Sequence, residues 1–375
     1  MESRSKIRVL LVTPNFYPFT TGPAIDYKVL AEGIEKESDI SLIVLTGYMR
    51  GEKLIEKHIN YKIYRMLLVK RIPLKRSPQQ ILAKIFFFLT YHLSLMILIL
   101  LFSLSFKVHV IHILAGAVTV LSGKFHNIVL EVLLKCLPCT VILDVRGSAW
   151  IPKSDWCYDR ILHISQAIHK QLINNGIGPG KCIYMPSPVE VSAIKEPYET
   201  VKRYVPYICF VGMVKPAKGI YELLEGFSRL SRVFSKYHLL IVGPNREGDS
   251  FMKVLNQYRK VVYFGMLSHD VVLGIIKYAE LLVLPSKVEG MPRVCLEAMA
   301  LGKKVLCPPG IFEFEIYCPE FVVPDITPDA IKNKIEEILS GPSVPDFPPL
   351  KQMTSEKYIE TMIRVYQSLV EDERK

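Results

Sequence analysis

An α/β protein of two parallel-sheet halves is what this sequence predicts, and three observations carry that expectation. Short apolar runs of strand length recur, each followed by a segment of helical spacing, as at Lys6–Val12, Ile40–Thr46, Tyr207–Val214 and Tyr237–Val242. The alternation breaks once, around Glu190–Tyr204, where the composition turns charged and proline-punctuated, like a linker. The chain has 375 residues, 50% of them hydrophobic, which suffices for two or three ordinary domains without help from disulfides or metals. The expected division is 1–195, 196–350 and a closing helix in 351–375.

Net charge is +11, from 47 basic and 36 acidic residues, which admits anionic ligands, membrane surfaces or nucleic acid. No run of Lys and Arg interleaved with aromatics and no nucleic-acid motif occurs, so a nucleic-acid partner is not expected. The basicity favours nucleotide phosphates and anionic lipid head groups. Eight cysteines are scattered through strands and loops. Cys136 and Cys139 have CxxC spacing without a second pair at metal-site distance, so a reduced chain is expected rather than a disulfide framework.

Taken in order, Met1–Ser5 is polar, so no secretory leader is expected, and Lys6–Val12 reads as the first parallel strand. A loop over Thr13–Pro23, a helix over Ala24–Lys36 and a strand over Ile40–Thr46 complete a β-α-β unit. The only glycine of that loop is Gly22, so the G-x-G-x-x-G dinucleotide fingerprint is absent. Tyr61–Leu67 is a further strand, followed by the basic segment Lys70–Ser77. Ile85–Phe106 then runs for 22 residues without a formal charge between Lys84 and Lys107, long enough to span a membrane. The strands before it (Val9, Ile43) and after it (Val110, Val141) read as neighbours in one sheet, which a single span would put on opposite sides of a bilayer. A helix lying in the interface, with Lys70, Arg71, Lys75 and Arg76 against lipid head groups, avoids that conflict, as does a re-entrant segment or a buried core helix. Strand Val108–Ile113 carries His109 and His112, strand Thr140–Val145 leads into Asp144-Val145-Arg146-Gly147, and Ile161–Ser165 and Cys182–Met185 close this half. His112 is either an active-site residue at a strand's carboxyl end or a core histidine.

The second half opens at Tyr207–Val214, whose loop to the next helix is Gly212-Met213-Val214-Lys215-Pro216-Ala217-Lys218-Gly219. Helix Tyr221–Arg232, strand Tyr237–Val242, helix Ser250–Tyr258, strand Val261–Phe264 and helix Ser268–Tyr278 with Ser268 as N-cap follow. Leu281–Leu284 is a buried strand, Pro285–Pro292 a loop, then comes a helix closed by Gly302 and a strand Lys304–Cys307. A strand at Phe321–Val323, a helix Pro328–Leu339 and the closing helix Ser355–Glu371 complete the chain. Glu289 in the loop and Glu297 in the helix flank a helix N-terminus, where unpaired amides and the dipole attract anions. Pro292 suits that helix start. A phosphate cradle with a carboxylate on either side supplies acceptors for sugar hydroxyls.

Pro285, Ser286, Glu289, Gly290, Glu297-Ala298-Met299-Ala300 and Gly302, read as PS-x-x-EG-x-x-x-x-x-x-EAMA-x-G, resemble the signature of family-4 retaining glycosyltransferases of the GT-B fold. The resemblance covers essentially the whole chain and is densest over Tyr207–Pro308. It implies two Rossmann-like domains facing across a cleft, with the last helix crossing back to the first domain. The second would bind a nucleotide-diphosphate sugar of UDP or GDP type, and the first an acceptor, a lipid-linked or cell-surface glycan. Glu289 would contact the donor sugar and Glu297 the ribose, with Gly290, Met291, Pro292, Arg293 and Val294 on the donor at the helix start. Lys218 matches the Lys of the family's G-R-L-x-x-x-K-G, whose Arg and Lys clamp the leaving diphosphate; Met213 replaces the Arg, and Lys215 or, better, Arg293 would substitute. Gly22 falls in the loop that approaches the donor phosphate, with one glycine where two are usual. His112 matches the first His of D-x-x-H-x-H, Leu114 standing at the second. D-x-R-G places Arg146 where it would meet an acceptor phosphate, or else a salt bridge near Asp144. The usual Asn-Gly-Val-Asp is here Ser187-Pro188-Val189-Glu190.

The function so implied is transfer of a sugar with retention of configuration, through same-face attack in which the leaving phosphate helps deprotonate the acceptor. Glu289 is then no covalent nucleophile. With no D-x-D motif, neither a metal nor any cofactor beyond the sugar donor is expected. A cytoplasmic enzyme, peripheral at the inner face of the cell membrane through 85–106, fits these features. The alternatives are a nucleotide-sugar epimerase or phosphorylase of the same fold, the latter lacking a recognisable pyridoxal lysine, and an inactive membrane-associated scaffold.

Overall fold

The computed structural model describes residues 6–18, 21–37, 39–48, 51–67, 93–115, 124–147, 151–191, 194 and 199–372. Its strands before the linker are β1 (Ile7–Val12), β2 (Ile40–Gly47), β3 (Ile55–Lys57), β4 (Tyr61–Leu67), β5 (Val110–Leu114), β6 (Thr140–Val145), β7 (Arg160–His163) and β8 (Cys182–Tyr184). They form one sheet in the order β3-β4-β2-β1-β5-β6-β7-β8, parallel throughout except for the edge pair β3–β4. The inner strands are apolar along nearly their whole length because a parallel sheet is covered on both faces. All six residues of β6, for example, are buried.

Helices α1 (Gly22–Ile34), α2 (Lys124–Cys136) and α3 (Gln166–Asn174) belong to this half. Val9 pairs with Val110 and Leu10 with Ile111, so β1 and β5 are hydrogen-bonded neighbours. One bilayer crossing between β4 and β5 would tear that pairing apart, which removes the single-span reading of 85–106. Residues 93–105 are helical. Leu95, Ile99 and Phe102 are buried, the last with its ring edge-on to Tyr64 at 4.8 Å, whereas Leu93, Ile97, Leu101 and Leu104 are exposed. No helix among the described residues is long and apolar enough to cross a membrane. Residues 85–92 and the basic segment at Lys70–Arg76 lie outside the described residues.

The later strands are β9 (Tyr207–Val211), β10 (His238–Val242), β11 (Val261–Gly265), β12 (Leu281–Val283) and β13 (Lys304–Leu306). Their sheet is wholly parallel, in the order β11-β10-β9-β12-β13. Its helices are α4 (Glu199–Lys202), a single turn within the expected linker, α5 (Ile220–Ser228), α6 (Asp249–Leu255), α7 (His269–Tyr278), α8 (Arg293–Ala300), α9 (Phe312–Tyr317) and α10 (Pro328–Ser340). Pro328 opens α10 and the Thr327 hydroxyl accepts from the Ala330 amide, while Ile331, Ile335 and Ile338 line its buried face. Ser268 precedes α7 as expected but makes no side-chain cap bond. The expected strand at Phe321–Val323 does not form. A 3-10 turn occupies Pro319–Phe321, and one residue, Val322, makes an isolated bridge to Cys307.

The closing helix, α11 (Ser355–Asp372), presents Tyr358, Met362, Val365, Tyr366 and Leu369 to Leu30 and Ile34 of α1 and to Val9 and Leu11 of β1. By contacts the chain divides into two units. The first takes its described residues from Met1–Ile164, Ile168–Pro188 and Ser355–Lys375, and the second from Ser165–Ala167 and Val189–Thr354. All eight cysteines are free thiols, Cys136 exposed and Cys139 buried.

Candidate active site

In the second sheet the chain runs outward from β9 through β10 to β11, then returns to the other side of β9 with β12 and β13. The order of strands therefore reverses between β9 and β12. Loops leaving the carboxyl ends of two such strands diverge to opposite sides and leave a crevice, where open α/β sheets bind ligands. Lys218 lies on the loop after β9 and Glu289 on the loop after β12, so the two strands at the reversal each deliver one expected residue.

Gly219 fixes how closely these loops approach. Its φ is +66°, and a Cβ there would stand 2.0 Å from the carbonyl oxygen of Pro285. A side chain at 219 would drive the two loops apart. The Lys287 amide donates to the Ala217 carbonyl at 2.9 Å, adding a main-chain tie across the gap. Held this way, the Lys218 ammonium donates to Glu289 Oε1. Both side chains are largely withdrawn from water, with 16% and 13% of their surface exposed, so neither charge sits on a solvated face. Lys287 is committed elsewhere, to Glu222 at 2.5 Å. Met213 and Lys215 are partly exposed on the same loop.

Beyond Glu289 the chain passes through Gly290 and the buried Met291 to Pro292, the N-cap of α8. The first helical bonds of α8 run from the Cys295 and Leu296 amides to the Pro292 carbonyl. Amides upstream of them have no acceptor within the helix, which is the anion-attracting end expected here. Arg293 opens α8, and Glu297 follows one turn later. Arg293 Nε donates to Glu297 Oε1 at 2.8 Å. His269, the first residue of α7, places Nε2 2.8 Å from the same oxygen. The structure thus brings Lys218 to Glu289 and Arg293 to Glu297, all at the carboxyl edge of one sheet. His269 was not singled out by sequence.

The candidates of the first unit fare differently. Gly22 begins α1 with open space around it, since a Cβ would meet nothing within 4 Å. His112 is fully buried. Its Nδ1 lies 2.8 Å from the Tyr366 hydroxyl on α11 and its Nε2 3.3 Å from Asp144 Oδ2, with the Tyr27 ring edge-on. This burial and these partners match the core-histidine alternative for His112. Arg146 is buried too. Nε donates to both oxygens of Asp144 at 2.8 and 2.9 Å, Nη1 to Asp26 Oδ2 at 3.2 Å and Nη2 to the Tyr358 hydroxyl at 3.2 Å. Its donors are spent inside the fold, so the salt-bridge alternative replaces the acceptor-phosphate role. Burial by itself would raise Asp144, but the Arg146 charge and the His112 hydrogen bond outweigh it and hold the carboxyl at about 2. Among the described residues no group of three His, Cys, Asp or Glu is arranged to hold a metal ion.

Residues 197–359, which include every candidate of the second unit, match the family described as Glycosyl transferases group 1. The chain is similar to the lipopolysaccharide 1,2-N-acetylglucosaminetransferase of Salmonella typhimurium, at 33% identity over 120 residues. That alignment takes in 28% of this chain and 32% of the relative, so the chain spans about a third of that curated relative's length. Sucrose-phosphate synthase from Thermosynechococcus elongatus superposes with a TM-score of 0.72 over 97% of this chain and 99% of the other, at 16% identity. Anabaena Alr3699/HepE in complex with UDP superposes with a TM-score of 0.67 over 96% of this chain and all (100%) of the other, at 11% identity. At such identities the superpositions speak for the fold, and that fold is GT-B.

Proposed function

We propose that this chain is a glycosyltransferase that moves a sugar from a nucleoside-diphosphate sugar, of UDP or GDP type, to an acceptor with retention of configuration. One observation carries the reading: Lys218 and Glu289 meet at the strand reversal of the second sheet, beside the amide end of the helix that bears Glu297. The group 1 match over these residues supports it, as do a relative whose name specifies sugar transfer and a structural neighbour that holds UDP.

In this reading the diphosphate rests against the start of α8, within reach of Lys218 and Arg293. As the C1–O bond breaks, negative charge grows on the leaving phosphate, and groups already aimed there stabilise the transition state without reorganising. That task falls to the chain's own cations and amides, with no metal assigned a part. Arg293 takes up the charge that Met213 cannot supply. Glu289 accepts from the sugar hydroxyls in place of the Lys218 ammonium, and Glu297 from the ribose. The leaving phosphate itself takes the acceptor's proton on the face it vacates, which is the route to retention.

The first unit would receive the acceptor, a lipid-linked or cell-surface glycan, at the inner face of the membrane. The apolar stripe Leu93, Ile97, Leu101 and Leu104 supports a peripheral lipid contact. Vesicles of phosphatidylglycerol should carry the wild-type protein upward in flotation, and Leu101→Glu should leave it in the dense fraction. Wild-type protein that stays behind from such vesicles speaks against the contact.

The main reading is tested by melting the purified protein with a panel of nucleoside diphosphates. A site ligand at a hundred times its dissociation constant adds about 2.7 kcal/mol to stability, so the melting temperature should rise for UDP or GDP. No rise with any of them would sink the transferase reading and leave a scaffold, the reading that Met213, Leu114 and the single glycine of the Gly22 loop favour. Consumption of donor without acceptor would point to an epimerase.

A further inference from the structure

His269 lies outside every motif of the sequence, yet its imidazole ends on the carboxylate assigned to the ribose. It follows the loop after β11 and starts α7, whereas Glu297 and Arg293 belong to α8. Nε2 of His269 and Nε of Arg293 each stand 2.8 Å from Glu297 Oε1, so two donors from two helices converge on one oxygen. An ionised carboxylate only accepts hydrogen bonds, which requires the imidazole proton on Nε2. Glu297 is almost fully buried, at 4% exposure, while His269 keeps 32% of its side chain exposed.

We propose that His269 is a positioning residue for the donor site, which it serves by fixing the Glu297 carboxylate so that Oε2 meets a ribose hydroxyl. The inference rests on the nucleotide-sugar reading above. Arg293 sits on the same helix as Glu297, one turn before it, so its bond to Oε1 ties the carboxylate only to α8 and leaves it freedom relative to α7. A second donor from a separate helix removes that freedom before the ligand arrives. The ordering cost is then not charged against binding. A deoxynucleotide lacks the hydroxyl that profits from this, so His269 becomes a determinant of the preference for ribonucleotides.

Calorimetric titration of wild type, His269→Ala and His269→Gln with UDP, GDP and their 2′-deoxy and 3′-deoxy forms tests this, with the melting temperature of each variant recorded alongside. The glutamine amide can donate from roughly the place of Nε2. The alanine variant should bind the ribonucleotide about tenfold more weakly, the scale of one lost hydrogen bond to a charged group. It should bind the deoxy form nearly as the wild type does, so that the preference collapses, and His269→Gln should restore both. Full ribonucleotide affinity in His269→Ala would overturn the positioning role while leaving the nucleotide reading intact. Equal weakening for both sugar forms, with a lowered melting temperature, would reduce His269 to a packing partner of Glu297 and overturn the proposal as well. A wild-type protein that binds none of these nucleotides would overturn the nucleotide reading, and this inference with it.

Discussion

Replacing Lys218 by alanine is expected to cut turnover of the sugar donor by about a hundred- to a thousandfold while the protein stays folded. The ammonium is placed by backbone, not by chance, since Gly219 can occupy its position only without a side chain and the Ala217–Lys287 tie closes the loops together. Its partner in the ligand-free chain is Glu289. Removing the lysine does two things at once. The growing charge on the leaving phosphate loses its counter-ion, and Glu289 is left unpaired beside an incoming dianion. The first effect belongs to the transition state and the second to binding, so they separate by mutation. In Lys218→Met with Glu289→Gln the repulsion is gone, and affinity for the nucleoside diphosphate should recover to near the wild-type value. Turnover should remain low, because no cation has been restored. Donor consumption with a panel of glycan and lipid-linked acceptors measures the one, and calorimetry the other. Undiminished turnover in Lys218→Ala would remove Lys218 from the chemistry.

Much of the fold could be read from residues because parallel strands covered on both faces leave continuous apolar runs. Tyr61–Leu67 and Thr140–Val145 are found with the limits expected of them. The strand β3 gave no such signal: three residues, Ile55–Lys57, at a sheet edge with both ends exposed. Helices α2, α3 and α9 were likewise not marked by any motif. In the second unit Lys218 and Glu289 could be singled out because both sit in loops with glycines and recognisable neighbours, though their ion pair could not be foreseen. His269 could not, because a lone histidine at a helix start carries no period and its partner lies 28 positions away. His112 shows the converse. It does stand near a strand's carboxyl end, but the helix that covers it comes 254 residues later, and local sequence says nothing of that. For Arg146 the adjacent Asp144 was visible, while Asp26, 120 positions earlier, was not.

That second carboxylate makes Arg146→Ala the most damaging substitution expected outside the site. Asp26 and Asp144 are both fully buried, and the Arg146 guanidinium is an ion-pair partner of each while bonding Tyr358 of α11. Ser187 and Tyr27 add hydroxyl donors, at 2.6 Å to Asp26 and 2.8 Å to Asp144, but no charge. Deleting one partner of such a cluster strands buried anions, and the penalty is about 3–5 kcal/mol at neutral pH, read from a denaturant melt. The pH dependence gives the test its sign. Asp144 is held at about 2 against an ordinary 3.8, so in the wild type its contribution is complete above pH 3.8 and drains away as pH falls from there towards 2. In Arg146→Ala the largest depressing charge is gone, so burial acts on Asp144 against only the His112 hydrogen bond and its carboxyl rises. Protonation then relieves the variant in acid, so the stability gap between the two proteins should narrow as pH is lowered from 7 to 4. A gap that stays constant over that range would show that lost packing, rather than stranded charge, is what the substitution costs. Arg146→Met with Asp26→Asn and Asp144→Asn should close most of the gap at pH 7, because an interior without the ions needs no counter-ion.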